Sequence, residues 1–450
     1  MIRYHARWVV PVSDPPIENA IVAVDDGRIV YVGQRAGAPP GDDEDLGDVV
    51  LMPGLVNVHC HLELTAMRGF LEDLDFRRWI IRLTAARRAV LDRDRLLDAA
   101  RLGVEEGVSA GVTTFADTGE SGVAMTAMRD AGVRGIVYQE IFGPNPADAA
   151  DCVRSLEEKV SGLRYLETEL VRLGVSPHAP YTVSDALFRS VTAFARAQSL
   201  PMAIHIAESE LETQLVANAA GAFADGLRKR GIDVRPRGRS PIQLLADLGV
   251  LAARPLLIHC VRADAIDVAA IADSMSAVAH CPASNAKLGH GIAPLTDLLD
   301  AGVAVGLGSD SVASSNRMDL LEEARLALLM QRAKLGFWET PSAADGLALA
   351  TVGGGRALGL EAHVGTLEAG KSADLAAFDL STVCPTQDPV ATIVFSLGGR
   401  RARFVCVAGR PLVRDGVLLN ARAGLAARVQ ASADALRDWL AAGGELQVPV

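Results

Sequence analysis

The chain has 450 residues, half of them apolar, and carries 44 basic and 55 acidic side chains for a net charge of −11. A chain of this length buries a large core, as one big barrel or as roughly two or three domains. The acidic balance argues against nucleic acid or an anionic membrane surface as a partner, since both need a basic footprint.

In chain order, residues 1–52 hold "ENAIVAVDDGRIVYVG", two alternating runs around an Asp-Gly turn. The opening residues show no apolar leader or cleavage site, and no run of about 18 apolar residues occurs, so the expectation is a cytoplasmic protein that does not span a membrane. Through residues 53–362 come eight short apolar runs, each closed by a polar residue: "LVNVHCH", "VTTFAD", "RGIVYQEI", "VRLGVSPH", "MAIHIAE", "PLLIHC", "SAVAHC" and "VAVGLGSD". Near-continuous apolar strands mark a parallel sheet covered on both faces, and the intervening segments have helical spacing. The expected architecture is therefore α/β, a (β/α)8 TIM barrel. Residues 363–420 return to strand, turn, strand in "VGTLEAGKSADLAAFDL" and "RFVCVAGRPLVRDGVLL". With residues 1–52 they are expected to build one small β-sandwich domain, and 421–450 to close the chain as a C-terminal helix. Six cysteines (Cys60, Cys152, Cys260, Cys281, Cys384, Cys406) lie far apart with no CxxC pair and read as buried free thiols. Any metal has to find other ligands.

Polar residues recur at one place in this pattern. His61, Asp117, His178, His205, His259, His280 and Asp310 all stand at or near strand C-termini, the end where barrel enzymes keep their active sites. Side chains alternate along a strand, so His59 and His61 share a face that Cys60 does not. With His205 and Asp310 they make three imidazoles and a carboxylate, a donor set that suits zinc or iron. Catalytic sites of this type leave a position for water, whose pKa falls to near 7 on zinc. Asp310 is placed both to touch the metal and to take a proton from that water. Glu208, three residues after His205, is placed to protonate a substrate atom, and His259 to orient the attacking oxygen or share the proton traffic.

The stretches "PGLVNVHCHLE", "HIAESE", "LLIHC", "HCPASNAKLGHGIAP" and "GLGSDSVASSNRMDLLEEARLA" together resemble the amidohydrolase superfamily, in its aminohydrolase and chlorohydrolase branch. That branch includes the S-adenosylhomocysteine and methylthioadenosine deaminases, aminodeoxyfutalosine deaminase, guanine and cytosine deaminases and the triazine hydrolases. The resemblance implies one divalent metal, Zn2+ or alternatively Fe2+, on His59, His61, His205 and Asp310, with Glu208, His259 and Asp310 as the catalytic groups. Members that bridge two metals place a carboxylated lysine on the fourth strand, but here that strand ends in "GVSPHAP" without one. The HxE of His61-Leu62-Glu63 mimics cytidine-deaminase zinc enzymes, yet no PCxxC accompanies it.

A carboxylic acid beside such a site suits attack on a C=N carbon of an aminated ring, with loss of ammonia. The expected function is hydrolytic deamination of a purine-type ring, an adenosine-like nucleoside such as aminodeoxyfutalosine or a 5′-modified adenosine. A triazine-type hydrolase or dechlorinase, a guanine or cytosine deaminase, and a non-catalytic scaffold stay open as alternatives. By resemblance His178 contacts the nucleoside and the segment "RGFLEDLDFRRWI" forms a lid, where Phe70 and Trp79 are placed to stack on a flat ring. Glu63 looks like the "HLE" of the aminodeoxyfutalosine deaminases. His178, Glu63 and Trp79, with the strand-end His280, make up the expected substrate-binding set, while "YQEIFGPNP" lacks the arginine pattern of the adenosylhomocysteine enzymes. The basic segment with Arg228, Lys229, Arg230, Arg235, Arg237 and Arg239 is a candidate attractor for an acidic substrate. The partner is expected to be a small molecule, and relatives suggest a homo-oligomer.

Overall fold

The computed structural model describes residues 1–444; residues 445–450 of the expected C-terminal helical segment lie outside the described residues. Five strands come first: β1 Ile2–Val9, β2 Ile17–Asp25, β3 Arg28–Gln34, β4 Asp42–Asp45 and β5 Val49–Pro53. The β2–β3 turn is the two-residue Asp26-Gly27, both at positive φ (45° and 73°), the geometry whose twist matches paired strands. A Cβ at Gly27 would stand 2.6 Å from the carbonyl oxygen of Ala408, so side chains are excluded there.

Eight parallel strands follow: β6 Leu55–Cys60, β7 Val112–Gly119, β8 Arg134–Ile141, β9 Val171–Pro177, β10 Ala203–Ile206, β11 Leu256–His259, β12 Ala277–His280 and β13 Val305–Leu307. They pair in chain order as two four-stranded sheets, β6-β7-β8-β9 and β10-β11-β12-β13. Single parallel pairs join the sheets at both seams, Val175 with Met202 and Cys60 with Asp310. Nearly every strand residue is buried, which is why these segments read as apolar runs without polar alternation. One apolar cluster takes Val56, Val58, Ala116, Ile136, Tyr138, Ala203, Leu256, Ile258, Ala277 and Ala279 from six of these strands. A larger one packs the strands against the helices, among them α1 Phe76–Val90 and α2 Arg93–Ser109. Both helices start on an aspartate cap: Asp75 accepts from the Arg78 N–H and Asp92 from the Arg95 N–H.

The chain then returns to the first strands through β14 Leu375–Asp379, β15 Phe404–Val407, β16 Arg410–Arg414 and β17 Val417–Leu418. Both chain ends thus form one nine-stranded sheet, ordered β17-β16-β15-β14-β5-β1-β2-β3 with β4 beside β1. The 364–374 stretch, expected to hold a strand, contributes none before β14: a turn at Ala369-Gly370 interrupts it, and only Ser372 pairs, in a single bridge to Arg28. The last described helix, Leu425–Ala441, is tied to α2 by Arg428, which donates from Nε to Asp98 at 2.6 Å. Four cysteines are buried as expected, but Cys152 is only half-buried and Cys384 is exposed, in the loop before Pro385 outside either core. No helix among the described residues is long and apolar enough to cross a membrane.

Candidate active site

Residues at or just past seven of these strand ends, His61, Glu120, Glu140, His178, His205, His259 and Asp310, line a cavity of about 650 Å³. His59 ends the apolar run of β6 and His61 follows it, while the pairing of β6 with β7 slips between Asn57 and Cys60. Cys60 packs into the outer apolar cluster, and both histidines face Asp310: His59 Nε2 lies 3.3 Å and His61 Nε2 3.5 Å from Asp310 Oδ1. His205, on β10, brings its Nε2 to 3.4 Å from His61 Nε2. Asp310 is held at a left-handed φ of 55° just past β13, where its Oδ1 accepts from the Ser311 N–H and its Oδ2 from the hydroxyls of Ser284 (2.5 Å) and Ser314 (3.1 Å).

The electrostatics follow from burial. Desolvation pushes the pKa of His59, His61 and His259 down, of His205 well down, and of His178 to about 3, so the cluster is neutral and each ring offers a lone pair. Burial pushes Asp310 the other way, but the adjacent imidazoles, His59 first, then His259 and His61, outweigh it and hold the carboxyl well below its usual range. Both ring nitrogens of His59 and Nδ1 of His205 are buried with no hydrogen-bond partner. Orphaned imidazole nitrogens crowded around a carboxylate are costly unless a cation draws on them. His59, His61 and His205 form one group whose ligating atoms lie within 4.8 Å of one another, and His59, His259 and Asp310 form another. These residues fit a divalent metal.

Glu208 lies two residues beyond β10, after Ala207 at a φ of 50°, and its Oε1 is 3.6 Å from His259 Nε2. Its pKa is lowered: burial raises it, but the two imidazoles that face it, His259 first and then His290, win. His259 Nδ1 faces Asn285 Oδ1 at 3.0 Å.

The other expected residues divide. His178 lines the cavity with Nδ1 on Thr182 Oγ1 at 2.7 Å, and Trp79 lines it from α1. Glu63 also lines it, but its carboxylate is occupied by Arg87 of α1 (2.6 Å) and by Ser121. His280 is buried off the cavity wall with Nδ1 unpartnered, and Phe70 packs against the core away from the cavity. Of the basic segment, Arg235, Arg237 and Arg239 pair with Asp233, Asp185 and Asp247, and only Arg230 reaches the cavity wall. Sequence reasoning missed Glu140, Arg87, Tyr181 and His290. Glu140 had a signal, as the polar residue closing "RGIVYQE", and it lies 3.9 Å from His205 Nδ1. Arg87 and Tyr181 had none.

The family model of the amidohydrolases matches residues 50–412. The chain belongs to the amidohydrolase family. Its fold is accordingly of the TIM-barrel type with mixed α/β content. Within the family it is 33% identical over 420 residues to a 5-methylthioadenosine/S-adenosylhomocysteine deaminase of Moorella thermoacetica, covering 91% of this chain and 93% of that one. Among solved amidohydrolase structures it is similar to an adenosine deaminase of Xanthomonas campestris with bound zinc, at 28% identity and a TM-score of 0.86, covering 97% and 98% of the two chains. It is also similar to a zinc-complexed atrazine chlorohydrolase of Arthrobacter aurescens, at 25% identity and a TM-score of 0.81, covering 97% and 100%.

Proposed function

We propose that this amidohydrolase is a metal-dependent hydrolytic deaminase that releases ammonia from a purine-type ring, with a 5′-modified adenosine as its substrate class. The observation that carries the reading is the convergence of His59, His61, His205 and Asp310, with orphaned ring nitrogens, on a cavity that Glu208 and His259 also line. In this reading those four residues hold one divalent cation, zinc or alternatively iron. When bound, such a cation is a Lewis acid that lowers the pKa of water toward 7.

The chain's own residues divide the proton work. Glu208 and Asp310 are both ionised at neutral pH, since both carboxyls lie below their usual range. Each therefore takes a proton before it gives one. One proton of the attacking water passes through Glu208 to the ring nitrogen beside the aminated carbon, which makes that carbon electrophilic. The second passes through Asp310 to the amino group, which leaves as ammonia while the carbonyl forms. His259, facing both the cluster and Glu208, orients the incoming oxygen. The aromatic rings of Phe76, Trp79, Phe142 and Tyr181 wall the cavity and suit a flat heterocycle. In keeping with this, the two four-stranded sheets are read as one closed (β/α)8 barrel spanning 53–362. The sheet from 1–52 and 363–420 is read as a small sandwich and 421–450 as the closing segment, in a cytoplasmic protein.

A second reading, hydrolysis or dechlorination of a triazine, is favoured by the likeness to the atrazine chlorohydrolase. One screen separates them: the zinc-loaded protein is assayed for ammonia release from adenosine, 5′-deoxyadenosine, methylthioadenosine, adenosylhomocysteine, aminodeoxyfutalosine, guanine and cytosine, and for chloride release from a chlorotriazine. Ammonia from a 5′-modified adenosine is expected. Chloride release without ammonia from any of the others removes the deaminase reading.

A further inference from the structure

Glu208 Oε1 is faced by two imidazoles, His259 Nε2 at 3.6 Å and His290 Nε2 at 3.4 Å. They are not equivalent. With Asn285 Oδ1 accepting from His259 Nδ1–H at 3.0 Å, the neutral His259 ring carries its proton on Nδ1 and presents a lone pair at Nε2. It has nothing to donate to Glu208. His290 belongs to the "LGHGIAP" stretch, its side chain is only 4% exposed, and its Nε2 is buried with no completed hydrogen bond. Its backbone N–H donates to the Asn285 carbonyl at 2.9 Å, so the residue that orients His259 also anchors His290. The His290 ring packs edge-to-face on Phe76, with centroids 4.4 Å apart, at the start of the helix whose Trp79, Leu83 and Arg87 wall the cavity.

We infer that His290 is a positioning residue for Glu208: its Nε2–H donates to Oε1 and holds the carboxylate toward the cavity, while Phe76 holds the imidazole. This rests on the proton-carrying role read for Glu208 above. The division leaves His259 Nε2 for the incoming oxygen and gives Glu208 a fixed orientation between its two proton transfers. It also links the helix that covers the cavity to the proton carrier, through Phe76. The titratable groups that face Glu208 are His259, His290, Asp310, Tyr181, His178, His59 and Cys281, and Glu212 accepts from its backbone N–H at 2.9 Å.

The test uses the full-length, zinc-loaded protein with methylthioadenosine as probe, in five forms: wild type, His290→Ala, His290→Gln, Glu208→Gln, and Glu208→Gln with His290→Ala. The alanine variant is expected to lower kcat by about 10- to 100-fold, the worth of one hydrogen bond to a charged group. Its KM should stay within about twofold. Loss of a donor to the carboxylate moves the acid limb of the kcat/KM profile to higher pH. Glutamine, whose Nε2 can replace the imidazole donor, should restore most of kcat and the wild-type limb, and it serves as the folded control. In the Glu208→Gln background the alanine change should cost nothing further. An acid limb that stays put in His290→Ala, or an equal loss in both backgrounds, overturns the inference. If Glu208→Gln alone keeps wild-type kcat, the role read for Glu208 has failed, and this inference falls with it.

Discussion

Asp117 shows how little a residue's type reveals about its state. It ends an apolar run as Asp310 does, yet it lies 1% exposed with Oδ1 accepting from the Leu62 N–H, and burial, then the nearby Glu63 charge, pushes its pKa up to about 8. An unfolded aspartate titrates near 3.9. The folded state therefore holds a proton that the unfolded state has released throughout the interval from about 4 to about 8. The stability this contributes is complete below the lower value and is lost as pH rises through the upper one. Thermal midpoints measured from pH 6 to 9 should fall with rising pH in the wild type and flatten in Asp117→Asn; parallel slopes in the two proteins would refute the assignment. Asp310 sits among imidazoles and moves the opposite way. Both residues were legible as polar strand ends, but the direction of each shift depends on neighbours that the sequence places far away.

At the scale of elements, α1 is the piece whose role emerges only on folding. Its amphipathic spacing is local, and so is its Asp75 cap. Its tie to the strands is not: Arg87, 15% exposed, donates to Glu63 past β6 and to Glu120 past β7, with the raised, buried Glu140 nearby. Removing that cation strands buried carboxylates. Arg87→Met should cost about 3–5 kcal/mol in denaturant unfolding, as expected when one partner of a buried pair is lost. It should also raise KM, because α1 supplies much of the cavity wall; a stable variant with unchanged KM would show that α1 is held some other way. The short strands β10 to β13 run only three or four residues before the chain turns. Ala207, His259, Cys260 and Asp310 sit there at positive φ, between 49° and 75°, in non-glycine residues beside the histidine cluster. Such backbone persists only where the surroundings over-determine it, and no local pattern announces it.

For the whole molecule, the coupling between the central strands and the nine-stranded sheet runs through Arg134 at the start of β8. It donates to both carboxylate oxygens of Asp374 (2.8 and 3.2 Å) and to Ser372, with the two charged side chains 9% and 1% exposed. Asp374→Ala leaves a buried guanidinium without its partner and should destabilise the protein by about 3–5 kcal/mol. Because the pair lies at the opposite end of β8 from Glu140, KM and zinc content should hold. A change in KM with stability intact would contradict this division of labour.

The sequence by itself determined the order of elements and which polar side chains stand at strand ends, because apolar runs, alternation, caps and Asp-Gly turns are local properties of a few neighbouring residues. Only the tertiary structure decided which of those ends meet. His59 and Asp310 stand 3.3 Å apart, although about 250 residues lie between them, while His280, alike in sequence position, is turned off the cavity wall and His290, in a loop, is turned toward Glu208. Contacts of that kind depend on the packing of every intervening element at once, and no short stretch of chain contains them.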